Sequence, residues 1–118
     1  MKDAIPHKWE SLIRDTPIPL LTRWKVEGEH MLLARVLLEK GCVVPLHQHE
    51  SEQMAVVISG RVRWTVGPQG DQREIEMGAG EVLQLPSWVW HGVAALEDTM
   101  IIDILSPPGP MGVDAHKS

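Results

Sequence analysis

The chain has 118 residues, the length of one ordinary domain, and 43% of them are hydrophobic, so it can bury a core. Its formal net charge of −5, with eleven scattered Lys and Arg residues, argues against a nucleic-acid partner, because phosphate binding needs clustered cations. The start lacks an apolar signal-peptide core and no apolar stretch approaches a membrane span, so the expectation is a cytoplasmic location and no membrane partner.

Residues 1–19 are punctuated by Pro6, Pro17 and Pro19 and are expected to be irregular or briefly ordered. From Leu20 the sequence predicts short strands at 20–27, 30–39, 43–49, 53–58, 61–66, 72–77, 81–85, 90–95 and 99–105. The turn signals are "SG" at 59–60, "GPQG" at 67–70 and "GAG" at 78–80, and these glycines leave no room for an ordinary helix. The tail "SPPGPMG" cannot continue a sheet, because proline lacks the N–H donor. Many short, evenly spaced strands predict an all-β sandwich or barrel, with the jelly roll as the leading case. One domain is expected over 1–118: an N-terminal segment and edge strand at 1–29, a barrel at 30–106 and a Pro/Gly-rich tail at 107–118.

The stretch "PLHQHESEQ" carries the chemistry. If His47 and His49 lie on the predicted strand, they point to one face, roughly 7 Å apart along the chain, and can converge on an ion. Two exposed histidines on an edge strand are the plainer alternative. His91, delivered from a separate strand after a glycine turn and a proline corner, supplies the third imidazole that an interior metal site needs. Gln53 has a glutamate's reach without its charge. It can bind metal through its amide oxygen or hydrogen-bond a ligand histidine. Strand alternation places Gln53 on the face of His49, while Glu52 and Glu50 point away. Neutral ligands leave a divalent ion its full charge, which strengthens its Lewis acidity and disfavours Fe(III).

Asp103 interrupts the apolar strand "TMIIDILS" and shares a face with Ile101 and Leu105. A carboxylate there is costly unless it is paired, with Arg35 as one candidate, or serves to move protons. Arg35 interrupts "MLLARVLLE" and fits a substrate carboxylate clamp, an outer-surface residue or a partner for Asp103. Trp24, Trp64, Trp88 and Trp90 read as core or pocket wall. Trp64, Trp90, Leu105 and Arg35 are the candidate pocket residues, and Trp90 rims the cavity beside His91. Cys42 faces away from His47 and reads as structural, and as the single cysteine it forms no internal disulfide. His7, His30 and His116 are expected on the surface.

These residues fall into a recognisable pattern. The chain resembles a single-domain cupin, whose first motif runs glycine, five residues, His-x-His, three or four residues, Glu, six residues, glycine. The matching positions are Gly41, His47, His49, Gln53 and Gly60, with only the acid replaced. The second motif is met by Gly80, Pro86 and His91, with Trp88 where a glycine is usual and Ala95 where an asparagine is usual. Within the small cupins, the His-x-His, Gln, His pattern and the following "HGVAALEDTMIIDILSPP" are similar to the uronate-ketonising cupins of pectin and alginate breakdown. That resemblance covers roughly residues 30–108 and implies a double-stranded β-helix. It implies one divalent ion per chain (Ni, Zn, Mn or Fe) on His47, His49, Gln53 and His91, with Asp103 as the acid–base residue and a homodimer as the assembly. The tail departs from that family: "PPGPMGVD" has no arginine where one commonly grips the uronate carboxylate. The expected function is a metal-dependent isomerase or tautomerase on a small oxygenated, sugar-derived substrate. An Fe(II) dioxygenase and a non-catalytic ligand-binding barrel are the alternatives.

Overall fold

The structure, a computed structural model, describes residues 2–114. Ten strands form two antiparallel sheets. In chain order they are β1 (Arg14–Asp15), β2 (Leu21–Glu27), β3 (Leu32–Leu38), β4 (Val43–His47), β5 (Glu52–Ser59), β6 (Arg61–Val66), β7 (Arg73–Gly78), β8 (Val82–Leu85), β9 (His91–Ala95) and β10 (Thr99–Ser106). One sheet has the order β1-β2-β3-β10-β5-β8 and the other β4-β9-β6-β7. This is the expected all-β jelly roll, and no helix among the described residues is long and apolar enough to cross a membrane.

Period-2 alternation builds the core. Leu32, Ala34, Val36 and Leu38 of β3 point inward, as do Ala55 and Val57 of β5, Ile101 and Leu105 of β10, and Val62 and Trp64 of β6. The alternate residues of β3, Leu33, Arg35 and Leu37, are half-buried on the outer face. The β5–β6 turn depends on Gly60, whose φ is +89°. A Cβ there would also strike the Asp98 carbonyl and the Thr99 side chain.

Two features differ from the sequence reading. The predicted strand 43–49 stops at His47, after a register shift against β9 between Val44 and His47. His49 therefore sits in the bend that leads to β5. The N-terminal segment is briefly ordered, as expected: Trp9–Ser11 forms a short 3-10 turn, and β1 pairs with β2 through Asp15↔Arg23. The tail does leave the sheet after β10, but it folds back under the barrel. Met111, Gly112 and Val113 are buried, and Gly112–Asp114 forms a second 3-10 turn.

Arg23 fastens both chain ends. It points inward from β2, is 2% exposed, and holds two carboxylates. Its Nε and Nη2 donate to Asp15 at 3.0 and 2.9 Å, and its Nη1 and Nη2 donate to Asp114 at 2.8 and 2.8 Å. The Arg23 hydrogen bond holds Asp15 below the ordinary carboxylate range, against the effect of burial. Burial also opposes ionisation of Asp114, yet Arg23 and the Met111 N–H hold it below that range as well. For Arg23, burial works against the charge, and the Asp114 and Asp15 carboxylates outweigh it.

Two predictions follow. Leu105 is fully enclosed, so Leu105→Ala is expected to cost about 2–5 kcal/mol in urea unfolding while leaving the metal content unchanged. Carboxylates whose folded pKa lies below the unfolded value of 3.8 stabilise the fold above that pH and cease to as pH falls beneath it. Asp15→Asn should therefore narrow the stability difference between about pH 6 and about pH 3. An unaltered difference would show that the Arg23 cluster does not couple to folding.

Candidate metal centre

Three elements bring three histidines together. His47 ends β4, His49 follows in the bend, and His91 begins β9 directly opposite His47. Ring centroids lie 5.7 Å apart for His47 and His49, 4.2 Å for His47 and His91, and 4.9 Å for His49 and His91. One ligand atom from each lies within 4.8 Å of the others. His49 is held outside any strand by the Trp88 N–H, which donates to its carbonyl at 2.9 Å.

Each ring is oriented by a backbone carbonyl two residues away. Nδ1 of His47 faces the Pro45 oxygen at 2.7 Å, Nδ1 of His49 faces Ser51 at 2.9 Å, and Nδ1 of His91 faces Val89 at 2.8 Å. A carbonyl only accepts, so each Nδ1 carries a proton there, and the contact fixes how the ring is turned. Burial, and then the neighbouring imidazole of His47, pull the His91 pKa down to about 4, so that ring is neutral at physiological pH. Its Nε2 is buried and has no hydrogen-bond partner.

Gln53, the second residue of β5, points into the same space. Its Oε1 lies 3.0 Å from His49 Nε2, and its Nε2 donates to Asp103 Oδ1 at 2.9 Å. The Asp103 contact fixes the amide orientation, because the flipped amide would set oxygen against carboxylate. His49 Nε2 and Gln53 Oε1 thus meet at the same point, where the two could share a cation, and the buried Nε2 of His91 has no partner among the described residues. The donor set of three imidazoles and one amide oxygen suits a divalent transition metal.

Asp103 lies on β10 between Ala34 of β3 and Ala55 of β5, whose small side chains leave it room. Burial pushes its pKa up to about 7, with the Gln53 amide pulling the other way. The cavity at this point has a volume of about 50 Å³. Its wall includes His47, Gln53, His91, Asp103, Trp64 and Arg23. The indole Nε1 of Trp64 is buried there without a partner.

Other candidates stand elsewhere. Arg35 is neither a cavity residue nor the partner of Asp103. Its neighbours Ala34 and Val36 point inward, so its own side chain lies outside, near the rings of Trp24 and Trp9 at 5.1 and 5.9 Å. Leu105 is core beside Gln53 in register but does not line the cavity, and Trp90 is half-buried without lining it. Trp88 is not core: it is 58% exposed, with φ at +67° where the motif has glycine. Glu50 and Glu52 face solvent. Cys42 is buried, its Sγ 3.7 Å from the Pro19 carbonyl, and burial raises its pKa. His7 and His30 are exposed, and His116 lies outside the described residues.

The sequence reading missed Arg23. The one available signal was alternation within "LTRWKVE", which sets Arg23 on the inward face with Leu21. It also missed the cavity wall built by Met111, Gly112 and Val113. A Cβ at Gly112 would collide with the His47 ring, so only glycine lets the tail cross there.

The profile of the cupin domain family matches residues 34–105. No curated protein matches in sequence. Among solved structures, KdgF from Halomonas sp. is 25% identical, with a TM-score of 0.74 over 85% of this chain and 92% of that one. An RmlC-like cupin from Shewanella frigidimarina is 21% identical, with a TM-score of 0.78 over 86% and 89%. A Bacillus subtilis oxalate decarboxylase is 18% identical, with a TM-score of 0.78 over 89% of this chain but 30% of that one. The last two likenesses show a shared fold alone.

The native protein is expected to carry about one divalent ion per chain, measured by elemental analysis. Added metal should raise the melting temperature of the wild type, and His49→Ala should abolish that rise. If reconstitution with Ni, Zn, Mn and Fe leaves no ion bound, the site assignment is wrong.

Proposed function

The chain belongs to the cupin family, and on that premise we propose that it is a metal-dependent isomerase or tautomerase of a small, oxygenated, uronate-like substrate. The observation that carries this reading is the position of Gln53. One amide turns its oxygen toward the histidine cluster and its N–H toward a buried carboxylate. A glutamate in its place would set a second carboxylate against Asp103. The neutral amide therefore suits a centre in which a proton-moving acid must sit beside the ligands.

His47, His49, His91 and Gln53 would hold the ion. A divalent ion there supplies Lewis-acid polarisation of a substrate carbonyl or hydroxyl. Asp103 moves the proton. Gln53 occupies its Oδ1, which leaves Oδ2 as the atom that gives or takes it. A group with a pKa of about 7 is present in both protonation states near neutral pH, as proton transfer in both directions requires. Ala34 and Ala55 stand beside it in register, and their small side chains leave it room. None of these roles needs an electron to leave the site, which favours isomerisation over dioxygen chemistry. The resemblance to the uronate-ketonising cupins, carried by the same His, Gln and Asp positions, supports the substrate class.

Asp103→Asn preserves shape and the acceptor for Gln53. It is expected to retain the ion and lower turnover of an unsaturated monouronate by about 10²-fold or more. Turnover should be equal in air and under argon. Full activity in the variant removes Asp103 from the mechanism, and consumption of dioxygen with product formation overturns the isomerase reading.

A further inference from the structure

The cavity contains a cation that the reaction above leaves unused. Arg23 lines it together with His47 and Asp103 and is almost wholly buried. Both hydrogen-bonding edges of its guanidinium are filled by carboxylates in bidentate fashion. The two carboxylates are held differently. Asp15 is the register partner of Arg23 across β1 and β2, so it belongs to the sheet. Asp114 stands at the end of segment 107–114, which leaves the sheet after β10.

We propose that Arg23 is the carboxylate-binding residue of this site, and that Asp114 holds the place of the substrate carboxylate until its segment lifts. The inference rests on the functional reading above and narrows its substrate to a sugar monocarboxylate. It also answers the missing tail arginine: the cation comes from β2, and the tail brings an acid to it.

Size supports the exchange. The cavity of about 50 Å³ has room for one or two waters, whereas small-molecule sites span about 300–1,000 Å³. Met111, Gly112 and Val113 form part of its wall, so lifting their segment enlarges the cavity and frees one guanidinium edge in the same motion. Met111 and Val113 pack into the core, and hydrogen bonds tie the segment at two points. Its root is tied by Ser51 Oγ, which donates to the Pro107 carbonyl at 2.6 Å, and its tip by Asp114 on Arg23.

Charge supports it as well. Two carboxylates share one guanidinium, and Lys25 is a further cation near both. Replacing Asp114 with a substrate carboxylate leaves the charge count and the fork geometry unchanged. Trp64, whose buried indole N–H has no partner among the described residues, lines the same cavity.

The test is calorimetric titration of the metal-loaded full chain with D-galacturonate, with neutral D-galactose as control. Asp114→Asn removes the competing anion and is expected to tighten galacturonate binding about tenfold, without changing galactose binding. Arg23→Lys loses the bidentate fork and should weaken galacturonate binding by about tenfold or more. In hydrogen exchange on the wild type, galacturonate should speed exchange at residues 111–114, whereas a ligand that merely stabilised the closed fold would slow it. The exchange and Asp114→Asn arms decide the matter if Arg23→Lys does not fold. Unchanged or absent galacturonate binding in Asp114→Asn, or slowed exchange at 111–114, overturns the proposal. That result in a protein that binds metal and turns over a uronate sinks this inference alone. Loss of metal with the Asp114 effect intact sinks the isomerase reading alone.

Discussion

A carboxylate buried inside an apolar barrel constrains everything around it. Asp103 stands in the middle of β10 with Ile101 and Leu105 on the same inward face. A charge there without a partner would be costly, and the partner is the amide of Gln53 on the adjacent strand. The β10–β5 register therefore fixes more than packing. A slip of one residue would turn Asp103 to the outer face, away from Gln53. Alanines on both flanking strands complete the arrangement.

From that pairing the metal centre follows. Once the Gln53 N–H is committed to Asp103, its oxygen must face His49. Once His49 gives its Nδ1 proton to Ser51, its Nε2 must face that oxygen. The same device of a carbonyl two residues along orients His47 and His91. Backbone carbonyls thus orient all three candidate ligand rings, which lowers the cost of organising them. The identity of residue 53 is explained by this chain of commitments, since only a side chain with both an acceptor and a donor serves both neighbours.

The other pole of the cavity is Arg23, and it ties two chain ends to one cation. It lies on β2, the register partner of Asp15, and it receives Asp114 from beyond β10. Gly112 crosses over His47 beside it, with no side chain to separate its backbone from the ring.

Much of this was legible in the sequence. Alternation and glycine turns located nearly every strand, because those signals are local and each strand buries one face. The spacing of His47, His49, Gln53 and His91 resembles the cupin motifs, and that resemblance named them as one candidate ligand set. The parity argument for His49 and Gln53 reached the right face by a path the molecule does not take, since the chain bends at 50–51 and is not one strand through both. Arg35 shows the limit from the other side: an arginine in an apolar strand reads as a clamp, but its parity sends it to the outer face, between Trp9 and Trp24. What the sequence by itself determined was the sheet fold, through short-range periodicity, and the candidate ligands, through their resemblance to the cupin motifs. What only the tertiary structure decided was the pairing of Gln53 with Asp103, the burial of Arg23, and the return of the tail over His47. Those contacts join residues 50 to 91 positions apart, and no local pattern records them.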